Sequence, residues 1–410
     1  MLRGIRVCID IVVSCVQLLV RRLVTCFLPL LFVPTALAAP FTPQSDQQVL
    51  EQLPARAADP RMREMVDLRR RLSASPRDVS LAVQLARRYY DEVAAEGDPR
   101  YIGYAQAALA PWWDLLEPPL PVRVTRAVLR QFSHEFDASV ADLTAAVRQD
   151  PDNGEAWSWL AAIAMVQARY ADVRTACAHM APLASPLIGV ACVAAVDSLT
   201  GKADAAAAAL RSALQKSADA TAAEKLWALT RLAEIDGRRG DATAAEASFR
   251  SALALGITDG YLLAAYADFL LDQRRPAEVL ALLKDHERSD LLLLRLALAA
   301  KAASAPKAAA WAADLAARFD AARLRGDTVH QKEEARFALA IQGQAARALA
   351  LARANYAVQR EPADARTLLE AALAAGQPAA AEPALKWMAD NGAESAVLRA
   401  LAAKLKGSKP

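Results

Sequence analysis

One stretch of this 410-residue chain constrains the fold more than any other. Residues 154–186 read GEAWSWLAAIAMVQARYADVRTACAHMAPLASP. Apolar and small side chains recur at helical spacing from Trp157 through Leu160 to Ala164, a polar break follows at residues 168–170, and a second stripe of small residues leads to a proline. This spacing predicts two helices joined by a short turn. Because one such hairpin cannot bury its apolar stripe alone, similar hairpins should flank it.

Comparable hairpins do recur, and the most regular has Leu232, Gly240 and Phe249 at matching places. The pattern resembles the tetratricopeptide repeat (TPR), which carries Trp or Leu, Leu, Gly or Ala, and Tyr on its first helix, then Ala, Phe and Ala on its second, with Pro after it. The resemblance covers residues 78–390. It implies an all-α fold, a right-handed α-solenoid of antiparallel helix pairs with about nine units in a tetratricopeptide-like superhelix.

The composition agrees with an all-helical fold. Aromatic residues make up only 6% of the chain and glycine only 15 residues, whereas Ala, Leu, Arg and Glu are abundant. These residues favour helix, and the sequence lacks the β-branched alternation of an all-β protein.

The first 38 residues predict an export signal. Arg21 and Arg22 precede an apolar run over residues 23–33, and the small residues Ala36 and Ala38 form a cleavage site. We therefore predict a cleaved signal peptide over residues 1–38, with Sec export favoured over twin-arginine export, and a periplasmic or secreted chain. The alternative is an uncleaved segment that anchors the chain in the inner membrane, which is the one way in which the membrane would be a partner.

The rest of the chain divides into three parts. Residues 39–58 are rich in Pro and Gln and predict a linker. Residues 59–405 predict the tetratricopeptide-like array, in which residues 397–405 form a solvating end helix, and residues 406–410 predict a tail.

Residues 110–121 depart from the repeat pattern and predict an irregular connection. Three prolines at positions 118, 119 and 121 are expected to interrupt the helix there. Trp112 and Trp113 precede them, either as a plug that packs the end of a helix pair or as a site for a ligand, since loops often carry function.

Two cysteines remain after the predicted signal, Cys177 and Cys192. They fall near the end of one helix and near the start of the next, across a short turn, so antiparallel neighbours at matching depth would satisfy disulfide geometry. The other interpretation is two small buried residues at repeat positions that require small side chains.

No constellation in the sequence predicts catalysis. His134–Glu135 is the only His-Glu pair, and a zinc-protease helix would need a second histidine at position 138, which is Ala. We therefore predict no catalytic, cofactor-binding or metal-binding residues, no cofactor, and no enzyme activity. The net charge of +3 lies within residues 1–38, and the balanced remainder argues against a nucleic-acid partner.

The resemblance implies a protein-binding groove. In that family the first helices of the units line a concave face, where extended peptides or partner helices bind. The Lys, Asn and Arg residues with which some members hold a terminal carboxylate are absent at the corresponding positions. The candidate groove residues at such positions are Val124, Val128, Glu155, Ser158, Thr230, Glu234 and Arg238.

These observations predict a non-catalytic protein-interaction scaffold of the bacterial cell envelope that binds a peptide or partner protein in its concave groove. One alternative is an accessory subunit that positions substrate for a separate cell-wall or envelope enzyme. Another is a membrane-tethered scaffold that retains its N-terminal segment.

Overall fold

A computed structural model of the chain describes residues 60–96, 98 and 100–407. The predicted signal peptide (1–38), the predicted linker (39–58) and the last residues of the predicted tail lie outside this range. The described part is entirely helical and has no strand. None of its helices is both long and apolar enough to cross a membrane.

The described residues form 21 α-helices and one short 3-10 helix. In chain order the α-helices are α1 (Pro60–Ala74), α2 (Val79–Glu96), α3 (Arg100–Ala108), α4 (Ala110–Trp113), α5 (Leu120–Phe132), α6 (Phe136–Gln149), α7 (Gly154–Val166), α8 (Tyr170–Met180), α9 (Pro186–Asp197), α10 (Ala203–Lys216), α11 (Ala222–Arg239), α12 (Ala242–Leu253), α13 (Gly260–Asp272), α14 (Pro276–Leu282), α15 (Asp290–Ala302), α16 (Ala308–Leu324), α17 (Gln331–Ala340), α18 (Ala345–Val358), α19 (Pro362–Ala374), α20 (Glu382–Asn391) and α21 (Ala396–Gly407). The 3-10 helix, Pro378–Ala381, precedes α20.

The helices contact one another as successive pairs. The first or A helices are α2, α5, α7, α9, α11, α13, α15, α17 and α19, and each packs against the B helix that follows it along the chain. Most A helices also contact the A helix of the next pair, and most B helices contact the A helix that follows them. This nearest-neighbour stacking is that of an α-solenoid, as the sequence predicted.

The turn between the two helices of a pair has a recurring backbone conformation. From the second pair onward, each A helix is followed by a residue with positive φ, at intervals of 30–39 residues. Ala168 in the third pair and Gly240 in the fifth are typical, with φ of 57° and 90°. Glycine adopts this left-handed conformation without strain, whereas for other residues the conformation costs about 1 kcal/mol. The eight residues are His134, Ala168, Gly201, Gly240, Arg274, Ser304, Gly343 and Gly376.

Helix starts are fixed by capping side chains. Asn153 accepts a hydrogen bond from the backbone N–H of Ala156 at the start of α7, and Ser185 caps α9 ahead of Pro186. At the start of α11, Thr221 and Glu224 form a reciprocal capping box. Because these side chains satisfy backbone donors that the helix leaves unpaired, they set the points at which each A helix begins.

Two segments differ from the sequence prediction. The connection at 110–121 is partly helical: α4 covers its first residues, and Pro121 lies in the first turn of α5, where a missing backbone N–H does no harm. The last helix, α21, leaves most of its residues exposed, as predicted for an end helix, but its buried face covers more than the last pair. Leu398 and Leu405 are buried because α21 packs against α19 and also reaches α11, four pairs earlier.

A disulfide joins Cys177 on α8 to Cys192 on α9, with a Cα–Cα distance of 5.8 Å. Both residues are buried in an apolar cluster with Tyr170 and Val173. The bridge therefore links the third helix pair covalently to the fourth.

Removal of this disulfide is expected to weaken the array. A double variant, Cys177→Ala with Cys192→Ala, should lower the free energy of unfolding by about 3 kcal/mol, because the unfolded chain regains the freedom of a loop of this length. Chemical denaturation of both proteins would measure the difference. Wild type treated with a thiol reductant should approach the double variant, and equal stability of oxidised wild type and variant would contradict the prediction.

Candidate functional site

Three of the predicted groove residues, Val124, Val128 and Thr230, are buried, and Val124 and Thr230 do not face a groove. Val124 on α5 packs in an apolar cluster with Phe136 and Leu143 of the same pair. Thr230 on α11 is buried, and its hydroxyl donates a hydrogen bond to the backbone carbonyl of Leu226. Val128 is also buried. The prediction of open groove positions is wrong for Val124, because it packs against the B helix of its own pair, and for Thr230, which is only 2% exposed.

The other predicted groove residues separate into two places. Glu155 and Ser158 lie near the start of α7, where both side chains are exposed. Glu234 and Arg238 lie on α11 and line a different cavity. The structure therefore places Glu155 at an N-terminal groove and Glu234 and Arg238 at an interior cavity, whereas Ser158 lines neither.

The N-terminal groove is a cavity of about 480 Å³ between the A helices α2, α5 and α7. Arg87 of α2 donates to Glu155 of α7 across it at 2.7 Å, and both side chains are about half exposed. The buried Val128 forms part of its floor. Its volume falls within the range of about 300–1,000 Å³ that is usual for ligand pockets.

An aromatic pair lines one end of the N-terminal groove. The rings of Tyr90 on α2 and Trp159 on α7 meet nearly at right angles, with centroids 6.1 Å apart. Sequence reasoning missed Trp159, although it follows Glu155 by one helical turn and so lies on the same face. Arg88, which pairs with Glu64 at 3.0 Å, completes a rim that carries both signs of charge.

The interior cavity, of about 370 Å³, lies mainly between the A helices of the fourth to ninth pairs. Its wall is a network of ion pairs between helices that are distant in sequence. Asp268 of α13 accepts from Arg295 of α15 at 2.7 Å and from Arg336 of α17 at 2.8 Å. Burial alone would raise the pKa of Asp268, but the two guanidiniums hold it well below its usual value.

The last pairs of the array contact the turns of earlier pairs, and we call this set of contacts the seam. The indole N–H of Trp387 donates to the hydroxyl of Tyr170 at 3.0 Å, and the backbone N–H of Arg360 donates to the carbonyl of Val166 at 2.7 Å. Glu394 accepts from the backbone N–H of Ala203, the first residue of α10, at 2.6 Å. The side chains of His134 and Gln359 also meet there, with 3.1 Å between their nitrogens. Within residues 60–407, this seam closes the C-terminal pairs onto the second, third and fourth pairs.

The stability of this seam is expected to depend on pH through His134. Burial lowers the pKa of His134 to about 4, and the charge of Lys332 acts in the same direction. The folded chain therefore holds the ring neutral, whereas the unfolded chain protonates it near pH 6.5. The resulting stabilisation is present above pH 6.5 and is lost as the pH falls from there to about 4. The titratable groups that act electrostatically on the ring are Lys332, Glu333, His330 and Asp364.

A His134→Asn variant tests this dependence, because asparagine tolerates the positive φ at this position. Between pH 7 and pH 4.5 the wild type should lose roughly 2 kcal/mol more unfolding free energy than the variant. A His286→Asn variant, altered in the connection after α14, serves as the control and should follow wild type. Identical pH profiles for wild type and His134→Asn would contradict the prediction.

Trp112 and Trp113 are held by a buried ion pair. Arg126 of α5 donates to both carboxylate oxygens of Asp142 on α6, at 2.8 and 2.6 Å, and also to the carbonyl oxygens of Trp113 and Leu115. The Trp112 side chain is buried in the apolar cluster of the first pair. Trp112 therefore packs against the end of a helix pair, and its ring is too buried to contact a ligand.

The described residues do not form a site for metal chemistry. Within residues 60–96, 98 and 100–407, no three His, Cys, Asp or Glu side chains come together in a way that would hold an ion. His134 lies at the seam beside Gln359, and His179 stacks on the ring of Trp157 with centroids 4.2 Å apart. Both histidines therefore make packing or hydrogen-bond contacts with other side chains of the protein.

Comparison with known proteins adds little to this description. No protein-family model matches the chain, and no curated protein matches it. Among solved structures, a match extends over 84% of this chain and 97% of the TPR domain of P58(IPK), with 12% sequence identity and a TM-score of 0.21. A TM-score of this size is too low to carry an argument. The assignment to an α-solenoid therefore rests on the stacked helix pairs described above.

Proposed function

We propose that this protein is a non-catalytic scaffold that binds an extended segment of a partner protein in the N-terminal groove. The observation that carries the proposal is the lining of the N-terminal groove. This groove of about 480 Å³ places the aromatic ring of Trp159 beside the half-exposed ion pair between Arg87 and Glu155.

The chemistry of the groove suits a peptide. The edge of Trp159 offers an apolar contact, and aromatic side chains in such positions often contribute most to binding. Arg87 and Glu155 form an exposed pair, which contributes little to stability and so can exchange partners with a ligand at low cost. An extended peptide with an apolar side chain and flanking charges matches both features.

A peptide library tests this proposal. A library of random 12-residue peptides displayed on phage would be panned against the purified chain, and enriched peptides would be measured by fluorescence anisotropy. Trp159→Ala should weaken their binding by about tenfold or more. Tyr104→Ala, which removes an exposed aromatic ring from the B helix α3, is the matched control and should bind like wild type. Failure to enrich any peptide, or equal binding by the two variants, would refute the proposal.

We further propose that the scaffold works in the bacterial cell envelope. The proposal is supported by the charged, apolar and small-residue order of residues 1–38 and by a disulfide between Cys177 and Cys192, which is typical of oxidising compartments.

Mass spectrometry of the native protein should find a mature chain that begins at Ala39. Replacing Ala38 with Asp should block cleavage, because the signal peptidase site requires a small residue there. A mature chain that still begins at Met1 in the wild type would favour the membrane-tethered alternative instead.

A further inference from the structure

The interior cavity contains an unusual balance of charges. Its wall holds six basic and six acidic side chains, together with apolar residues of α9, α11 and α13. Five of the six basic groups have a carboxylate partner within the range of an ion pair. These are Arg231 with Glu234 at 3.0 Å, Arg295 with Asp268 at 2.7 Å, Arg336 with Asp268 at 2.8 Å, Arg366 with Asp272 at 2.7 Å, and Lys332 with Asp364 at 3.6 Å.

Arg238 is the exception. Among the described residues, no carboxylate lies within 4 Å of its guanidinium, and its Nε–H is buried without a hydrogen-bond partner. Its one polar contact is from Nη2 to the hydroxyl oxygen of Ser198 at 2.8 Å. Ser198 donates its own hydrogen to the carbonyl of Ala195, so it holds the guanidinium in place without neutralising it.

The nearest acidic residue on the same helix is already engaged. Glu234, one turn before Arg238, pairs with Arg231 and accepts a hydrogen bond from the hydroxyl of Tyr261 at 2.5 Å. Desolvating a cation without a counter-charge is unfavourable, and burial lowers the pKa of Arg238. An anion bound beside Arg238 would remove this penalty, because a guanidinium pairs well with carboxylate and phosphate groups.

The rest of the cavity supplies an apolar surface next to this cation. Tyr261 lines the cavity with a side chain that is 45% exposed, and its ring lies under the guanidinium of Arg231 at 4.6 Å. Phe269 and Leu199 also line it. We propose that the interior cavity binds a small organic anion, a carboxylate or phosphate monoester on an aromatic or apolar body, through the guanidinium of Arg238. This site is distinct from the N-terminal groove, since it lies among later helix pairs.

Isothermal titration of the full chain tests the proposal with four probes: benzoate, phenyl phosphate, inorganic phosphate and neutral benzamide. Benzoate or phenyl phosphate should bind saturably at one site, and benzamide should not. The Arg238→Gln variant should lose at least about tenfold in affinity, since a charge-assisted contact is removed. Arg353→Gln, which removes an exposed arginine from α18, is the matched control and should bind like wild type.

Thermal unfolding without ligand separates a binding role from a structural one. Arg238→Gln removes a partly buried charge that has no carboxylate partner in the described part of the chain, so the midpoint of thermal unfolding should equal or exceed that of wild type. Tighter binding of benzoate would identify the natural ligand as a carboxylate, and tighter binding of phenyl phosphate would identify it as a phosphate monoester.

Three outcomes would overturn the proposal. The first is the absence of saturable binding by either organic anion, and the second is unchanged binding in Arg238→Gln. The third is a response to inorganic phosphate alone, which would indicate an adventitious ion only. If Arg238→Gln does not fold, Ser198→Ala replaces it, and unchanged affinity in that variant would then count against the site.

Discussion

Replacing Asp142 with asparagine is expected to lower the free energy of unfolding by about 3–5 kcal/mol. Asp142 neutralises two guanidiniums: Arg126, whose side chain is only 4% exposed, and Arg130, whose Nη1 lies 2.7 Å from its carboxylate. Without the carboxylate, Arg126 remains buried with only neutral oxygens around it. A single broken partner in such a buried pair is more harmful than removal of the whole pair.

Urea denaturation of Asp142→Asn and of a control variant measures this effect. Asp137→Asn changes an exposed carboxylate in the first turn of the same helix, so its unfolding free energy should stay within about 0.5 kcal/mol of wild type. A double variant with Arg126→Met and Asp142→Leu should recover much of the loss, because the buried charge is then gone. Equal stability of Asp142→Asn and Asp137→Asn would show that the pair does not hold this region.

The second large effect is expected at the wall of the interior cavity. Asp268→Asn should lower the free energy of unfolding by about 3–5 kcal/mol, because it leaves the buried guanidinium of Arg295 without its principal counter-charge and removes the contact to Arg336. Since Arg336 lies two helix pairs after Asp268, the substitution should also break the ion-pair link between α17 and α13.

Denaturation combined with hydrogen–deuterium exchange would report both consequences of Asp268→Asn. We expect faster exchange in α15 and α17 and little change in α2 and α5. Asp285→Asn, in the exposed connection after α14, is the control and should change neither measurement. Unaltered stability of Asp268→Asn would mean that the ion pairs of the cavity wall are not structurally important.

The succession of helix pairs was predictable because it depends on local patterns. Small residues recur where paired helices cross, and glycine marks several turns, as at Gly201 and Gly240. The turns at Ala168 and Ser304 have the same positive φ without glycine, and the turn at Ala168 was predicted instead from the polar break at residues 168–170.

The closure of the array was not predictable from these patterns. His134 and Gln359 meet although 225 residues separate them, and Tyr170 and Trp387 meet across 217 residues. Such contacts depend on small rotations between neighbouring pairs that accumulate along the solenoid, and no local pattern records their sum. For the same reason, the seven groove positions were assigned to one surface, although the structure distributes them among two cavities, the core and, for Ser158, an exposed position outside both cavities.

One missed feature did leave a signal in the sequence. Arg126 lies on the same face of α5 as the buried Val122 and Leu129, four residues before it and three after it. A charged residue at such a position requires a partner, which the next helix supplies in Asp142. Which acidic residue of α6 pairs with it depends on the crossing of the two helices, and that required the structure.

We propose that partner binding is confined to the N-terminal groove, because the contacts of the seam close the later helix pairs onto earlier ones. Hydrogen–deuterium exchange of the chain with and without a peptide selected from the phage library tests it most directly. We expect slower exchange on peptide binding in α2, α5 and α7, and no change in α13, α15 and α17. Protection confined to α13–α17, or accelerated exchange at the seam around Trp387, would contradict the claim and place the binding surface inside the closed region.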